Sequence, residues 1–368
     1  MSKNCKRINA TVGVLTTLAM GASMMAGPMA ALASGQADQG AEPQSAPEAK
    51  GSATVHSGLV KTAAIGTFSF DQTYVSPTAD VARLQGVAQV ACGGANASSQ
   101  VRSADWQLTV SGDVDNAFCA TVGELVEDES TPQLMTCSCG GNPAGGRAIV
   151  NAEVGGISIE SLLVASQAQK GVNTVTFIAD DGTQVSVPLS YAIGRHAVLG
   201  CEVNGEDIAN SVGSANQLWM AKTPANYFLK NVVEVVFTVE DEVPVAPVAA
   251  NPASPNVGVL TGTQAYWRVW AQRRRTMIVP MNVEVGKPVT FTGYADDYGN
   301  QIVAVEFSLD DGESWHPYDV SQSSPELMVH WTFTYTPEYE GRYRLLVRCV
   351  TEDGKRSPLP DVAEFYAR

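Results

Sequence analysis

Cys137-Ser138-Cys139-Gly140-Gly141-Asn142-Pro143-Ala144-Gly145-Gly146 is the stretch on which the reading of this chain turns. Glycines directly after a cysteine leave its thiolate accessible and let backbone N–H groups approach a bulky or anionic group. Such a thiolate is a soft metal ligand or a nucleophile. The same residues would also suit a strained surface loop holding a disulfide. A Cys–His catalytic pair has little to stand on. The nearest histidine in sequence is His196, with no local mark of a base; His56 precedes the folded region, His316 follows a turn and His330 falls in a strand pattern.

Outward from the loop, two periods alternate. Downstream, Ile159, Leu162, Leu163 and Ser166 share one helical face, with Ser158 placed to cap its start and Gly171 to stop it. Strands are predicted over 172–178 and 183–189 around the turn Asp180-Asp181-Gly182, and over the β-branched run 232–239. This block, 59–242, reads as α+β with more strand than helix. Residues 243–256 hold four prolines, which fit neither a helix nor a sheet interior and mark an extended linker. Beyond it, 257–368 alternates over 276–285, 289–292, 302–309, 329–335 and 342–351, with turns at Asp296-Asp297, Asp310-Asp311-Gly312, Glu340-Gly341 and Asp353-Gly354. Short strands at that spacing predict an all-β, immunoglobulin-like sandwich.

At the other end, Lys3, Lys6 and Arg7 precede the apolar run 10–33, which finishes Ala31-Leu32-Ala33. A basic start, an apolar middle and a small-x-small finish predict a secretory signal peptide over 1–33 and an extracytoplasmic protein. A flexible Gly, Ala, Pro and Ser spacer follows over 34–58. Seven cysteines occur; Cys5 leaves with the leader, and Cys92, Cys119, Cys137, Cys139, Cys201 and Cys349 remain. An even number in an exported chain permits pairing, while Cys201 and Cys349, inside apolar strands, suit buried thiols or a disulfide. The whole chain of 368 residues carries 38 acidic against 23 basic side chains. That balance, with the single basic run Arg273-Arg274-Arg275 near Tyr266, Trp267 and Trp270, excludes nucleic acid as a partner.

Cys139-x-x-Asn142-Pro143-x-Gly145-Gly146, followed by Asn151-Ala152-Glu153-x-x-Gly156-Ile157-x-Ile159-x-x-Leu162-Leu163, resembles the molybdenum-cysteine segment of the sulfite oxidase family. Trp106 to Gly112, the hairpin around 180–189, Asn204-Gly205-Glu206 and Lys230-Asn231-Val232 are similar to the family's other segments in the same order. Val305 to Trp315 resembles its C-terminal immunoglobulin-like domain, so the likeness covers about residues 100 to 355.

The resemblance implies a molybdenum–molybdopterin oxidoreductase. In that family one protein thiolate and two dithiolene sulfurs hold the metal, and an oxygen atom and two electrons pass between metal and substrate. Here Cys139 takes the ligand position, with Cys137 as the alternative two residues away. Gly140, Gly141, Asn142 and Gly213 become cofactor-contact positions, and Lys230 stands where the family has a cofactor-binding lysine. Two departures accompany these matches. The stretch 71–77 lacks the family's Asn-His pair, and the usual His-Gly-x-Pro-x-Arg reads Val212-Gly213-Ser214-Ala215-Asn216-Gln217. Arg147 and Arg195 are then the remaining cations for the pterin phosphate. The expected substrate is a small oxyanion, sulfoxide or related molecule. No haem segment is seen within the chain, so a separate electron-transfer partner is expected, and a homodimer through the C-terminal domain is open. The competing reading is a cofactor-free relative acting in binding or assembly at the cell envelope.

Overall fold

The computed structural model describes residues 44–45, 54–56, 58–91, 101–126, 132–248, 251–261, 264–265, 278–279 and 281–368. The expected leader, Cys5, Cys92 and the Arg273–Arg275 run lie outside the described residues. Of the expected spacer, two short pieces are strands: Gln44–Ser45 pairs with Thr67 and Phe68, and Thr54–His56 pairs with Leu59–Lys61. These pieces lie within the stretch expected as a flexible spacer.

Two sheets build the first block. One runs in the order Gln184–Pro188, Thr174–Ala179, Val232–Thr238, Gln107–Gly112, Phe118–Thr121. Its only parallel pair among the described strands joins Val232–Thr238 to Gln107–Gly112. The other places Ile149–Ser158 between Gln133–Ser138 and Val198–Val203, all antiparallel. Both sheets bury one shared core in which Leu108, Phe177 and Phe237 meet Val150, Leu199 and Trp219. Helices are few and short. Ser158 caps Ile159–Ala165 by accepting from the Ser161 N–H, and Ile159 and Leu162 point inward. The helix stops earlier than Gly171: Gln167 already has a φ of 53°. The helix α1, Thr78–Ala91, had no counterpart in the sequence reading.

The second block is a two-sheet sandwich. Asn256–Thr261, Val289–Asp296 and Val329–Tyr335 form one sheet; Met281–Val283, Asp361–Ala367, Gly341–Thr351, Ile302–Ser308 and His316–Asp319 form the other. Phe291, Phe307, Phe333, Phe365, Trp331 and Tyr343 fill the space between them. Phe307 and Phe333 stack at 4.2 Å. Trp315 is not in this core; Arg348 lies over its ring at 3.9 Å. Residues 59–71, expected to open the first block, belong here instead. Thr67–Asp71 pairs with Val329–Tyr335, and buried Phe68 stacks on Tyr318 at 4.9 Å.

Candidate molybdenum-cofactor site

Strand Gln133–Ser138 carries Cys137 inward, and Cys139 opens the loop beyond it. Backbone bonds fold the loop back. The Cys139 N–H donates to Ala148 O at 2.9 Å, the Asn142 N–H to Cys139 O at 2.9 Å, and the Gly146 N–H to Pro143 O at 2.8 Å. Two glycines are obligatory for contact rather than for the thiol. A Cβ on Gly145 (φ 69°) would stand 2.3 Å from Asp361 Oδ1, and one on Gly146 would stand 2.1 Å from Asn142 Oδ1. Beside the sulfur the space is open: a Cβ on Gly141 would meet only Cys139 Sγ, at 3.9 Å.

Asn142 shapes the loop. It is 1% exposed, donates through Nδ2 to Tyr294 Oη at 2.9 Å, and accepts from the Ala148 N–H at 3.0 Å. Tyr294 Oη donates in turn to Gly146 O at 2.7 Å. The end of the linker closes the set, because Asn251 Nδ2 donates to Asn142 O at 2.7 Å and Asn256 Nδ2 to Pro143 O at 3.0 Å. Asn142 thus supports the loop in addition to standing at an expected contact position. The end of the Pro-rich linker 243–256 is part of the loop's scaffold.

The two cysteines differ in environment. Cys137 is completely buried and accepts from Gln85 Nε2 at 3.5 Å, and burial pushes its thiol far above the ordinary range. Cys139 keeps 6% exposure at the loop mouth. Cys201 and Cys349 are buried free thiols, each pushed up to about 12 by burial. Cys119 is disulfide-bonded. Among the described residues no group of three or more His, Cys, Asp or Glu side chains is placed to hold an ion.

The segment 212–217 runs from the end of the short helix Ile208–Ser211 into the strand Gln217–Trp219. Gly213 has a φ of 76°, but its N–H already donates to Ile208 O at 3.1 Å. Ser214 Oγ and Gln217 Oε1 are buried without a hydrogen-bond partner. Lys230 Nζ lies 3.4 Å from Val212 O, and burial lowers its pKa. The Lys230 ammonium and the Ser214 hydroxyl can donate to an anionic group, whereas Gln217 Oε1 is an acceptor and cannot. Burial and neighbouring Arg83 lower the pKa of half-buried Arg147, which has Asp361 opposite, while Arg195 stacks on Tyr191 at 5.2 Å.

A feature that sequence reading missed lies between the blocks. Thr136, Ser138, Lys222, Thr223, Asp296 and Tyr298 line a cavity of about 10 Å³, room for roughly one water. Ser138 Oγ donates to Tyr298 Oη at 3.3 Å, and Lys222 pairs with Glu326 at the rim. Burial pushes the enclosed Asp296 carboxyl up to about 7. The acidic pair 296–297 reads in sequence simply as a turn; only the packing of the two blocks encloses it.

Residues 95–244 match the family model of the oxidoreductase molybdopterin binding domain. This segment belongs to that family. That domain supports a molybdopterin oxidoreductase. A sequence comparison with curated proteins finds no match. Among solved structures, the sulfane dehydrogenase SoxCD from Paracoccus pantotrophus is similar in fold. It shares 16% identity over 83% of this chain and 80% of that one, at a TM-score of 0.54. Fibronectin(III)-like modules of Clostridium thermocellum CbhA match 30% of this chain and 96% of theirs at 17% identity. Their TM-score of 0.21 supports no argument.

Proposed function

We propose that this molybdopterin oxidoreductase works outside the cytoplasm on a small oxyanion, sulfoxide or related substrate, with Cys139 as the protein ligand of its molybdenum. The observation that carries the reading is the contrast between the two thiols. Cys137 is locked beneath Gln85, whereas Cys139 stands on a loop whose shape Asn142, Tyr294 and Asn251 fix. When bound, the cofactor supplies oxygen-atom and two-electron transfer. The chain's own residues bind and orient it. A soft thiolate suits the metal, the open space beside Gly141 admits neighbouring ligands, and the braced loop keeps the sulfur in place. Lys230, with the Ser214 hydroxyl on the same segment, would take the pterin phosphate.

Export rests on the basic-apolar-small pattern of residues 1–33, and an electron carrier on a separate chain completes the reading. The C-terminal sandwich is read as immunoglobulin-like and as the contact between two copies, which sedimentation of the mature chain measures. Metal analysis of the natively expressed protein, with fluorescence of the released pterin, tests the cofactor. Close to one molybdenum per chain is expected; protein that never acquires the metal would return the cofactor-free alternative.

A further inference from the structure

Helix α1 brings one polar side chain into an otherwise apolar face. Val81, Leu84 and Gln85, at i, i+3 and i+4, are all buried, Gln85 to 2% exposure. Around them lie the strand Ile149–Ser158, the turn Ala225–Tyr227 and the short helix Ile208–Ser211. The Gln85 amide is a bridge. Its Nε2 donates to Cys137 Sγ at 3.5 Å, and its Oε1 accepts from Gln217 Nε2 at 2.8 Å. One side chain thus joins the strand that leads into the Cys139 loop to the segment beside Lys230.

The seat is polar and incompletely satisfied. Gln217 Nε2 also donates to Phe228 O at 3.2 Å, while Gln217 Oε1 has no partner. The unsatisfied oxygen belongs to the strand against which α1 sits, so the seat and not the helix carries the unmet hydrogen bond. The start of the helix is held separately. Asn204 Nδ2 donates to Ser76 O at 3.0 Å and to Thr78 Oγ1 at 3.3 Å, and the Asn151 N–H donates to Ser76 Oγ at 3.1 Å. An anchored start and a part-satisfied seat are what a hinged element needs.

We infer that α1 is a displaceable plug, whose Gln85 occupies the path between the Cys139 loop and Lys230 and which must unseat to admit the cofactor. This rests on the assignment of Cys139 and Lys230 to the two ends of that cofactor. Seated helix and bound cofactor exclude each other, so loading is coupled to release of α1. In the seated state the helix covers the core beneath it.

Hydrogen exchange of residues 78–86 in the full chain, molybdenum-free and molybdenum-loaded, tests the coupling. Exchange at least tenfold faster in the loaded protein is expected. Gln85→Ala, which removes only the bridge, should raise molybdenum per chain under limiting molybdate, and Leu84→Asp, which unseats the face, should do so further. Gain of metal by either variant where the wild type has none supports the plug equally. Equal protection in both forms, with molybdenum present, overturns the plug and leaves the Cys139 assignment standing. Absence of metal from the wild type and from both variants together overturns that assignment, and the plug with it.

Discussion

Cys137 and Cys139 are two residues apart and chemically identical in sequence, yet the fold gives them different tasks. Complete burial keeps Cys137 a thiol, against the Gln85 N–H that by itself favours the thiolate, while Cys139 stands at the loop mouth. The run of glycines was legible as a cue that the loop is special. Its meaning was not, because the groups that require Gly145 and Gly146 are Asp361, far along the chain, and the folded-back Asn142. Lys230→Ala should lower cofactor retention about tenfold to a hundredfold, since a charge-assisted bond to a phosphate contributes roughly 1.5–3 kcal/mol. Molybdenum occupancy measured against the melting temperature of the metal-free form checks this; unchanged occupancy would place the phosphate elsewhere. His330 is a second residue-scale case. Burial lowers its pKa to about 4, with Asp71 opposing, and its ring stacks on Tyr74 at 3.7 Å. Because the folded pKa lies below the unfolded one, protons bind the unfolded chain preferentially, and stability is lost as pH falls from about 6.5 through 4. His330→Phe should flatten that acid limb in a series of melts, and an unaltered limb would assign it to other groups.

Among elements, the hairpin 174–188 and the capped helix Ile159–Ala165 could be read locally, because their turn and cap residues are neighbours in sequence. The strand Thr67–Asp71 could not. Its partner Val329–Tyr335 lies some 260 residues away, and nothing in its own pattern says which block it completes. The face of α1 was equally opaque, since a buried glutamine interrupts the apolar period that marks a docked helix. Phe68→Ala should cost about 3–5 kcal/mol, the usual loss for a buried aromatic. Hydrogen exchange locates the damage. Val329–Tyr335 should lose protection first, whereas loss confined to the first block would mean that Thr67–Asp71 does not stabilise the sandwich.

At the scale of the whole molecule, the two blocks meet around the Cys139 loop. Tyr294 from the sandwich holds Asn142 and Gly146 O, and Met328 N–H donates to Thr136 Oγ1 at 2.9 Å. Removing one hydroxyl at that junction leaves a buried donor and a buried acceptor unpaired. Tyr294→Phe should therefore destabilise the chain by about 1–3 kcal/mol and reduce molybdenum retention together, read by melting and metal analysis. Loss of stability with full retention would show that the junction does not brace the site. Two blocks and a linker were legible in the sequence, whereas the junction was not, because its hydrogen bonds join residues separated by about 150 positions or more.

The most direct measurement is the sulfur count around molybdenum by X-ray absorption on the loaded wild type, Cys139→Ser and Cys137→Ser. The account predicts three sulfurs in the wild type and in Cys137→Ser, and two in Cys139→Ser, whose hydroxyl is a harder ligand that stays protonated at neutral pH. Three sulfurs in Cys139→Ser with two in Cys137→Ser would contradict it.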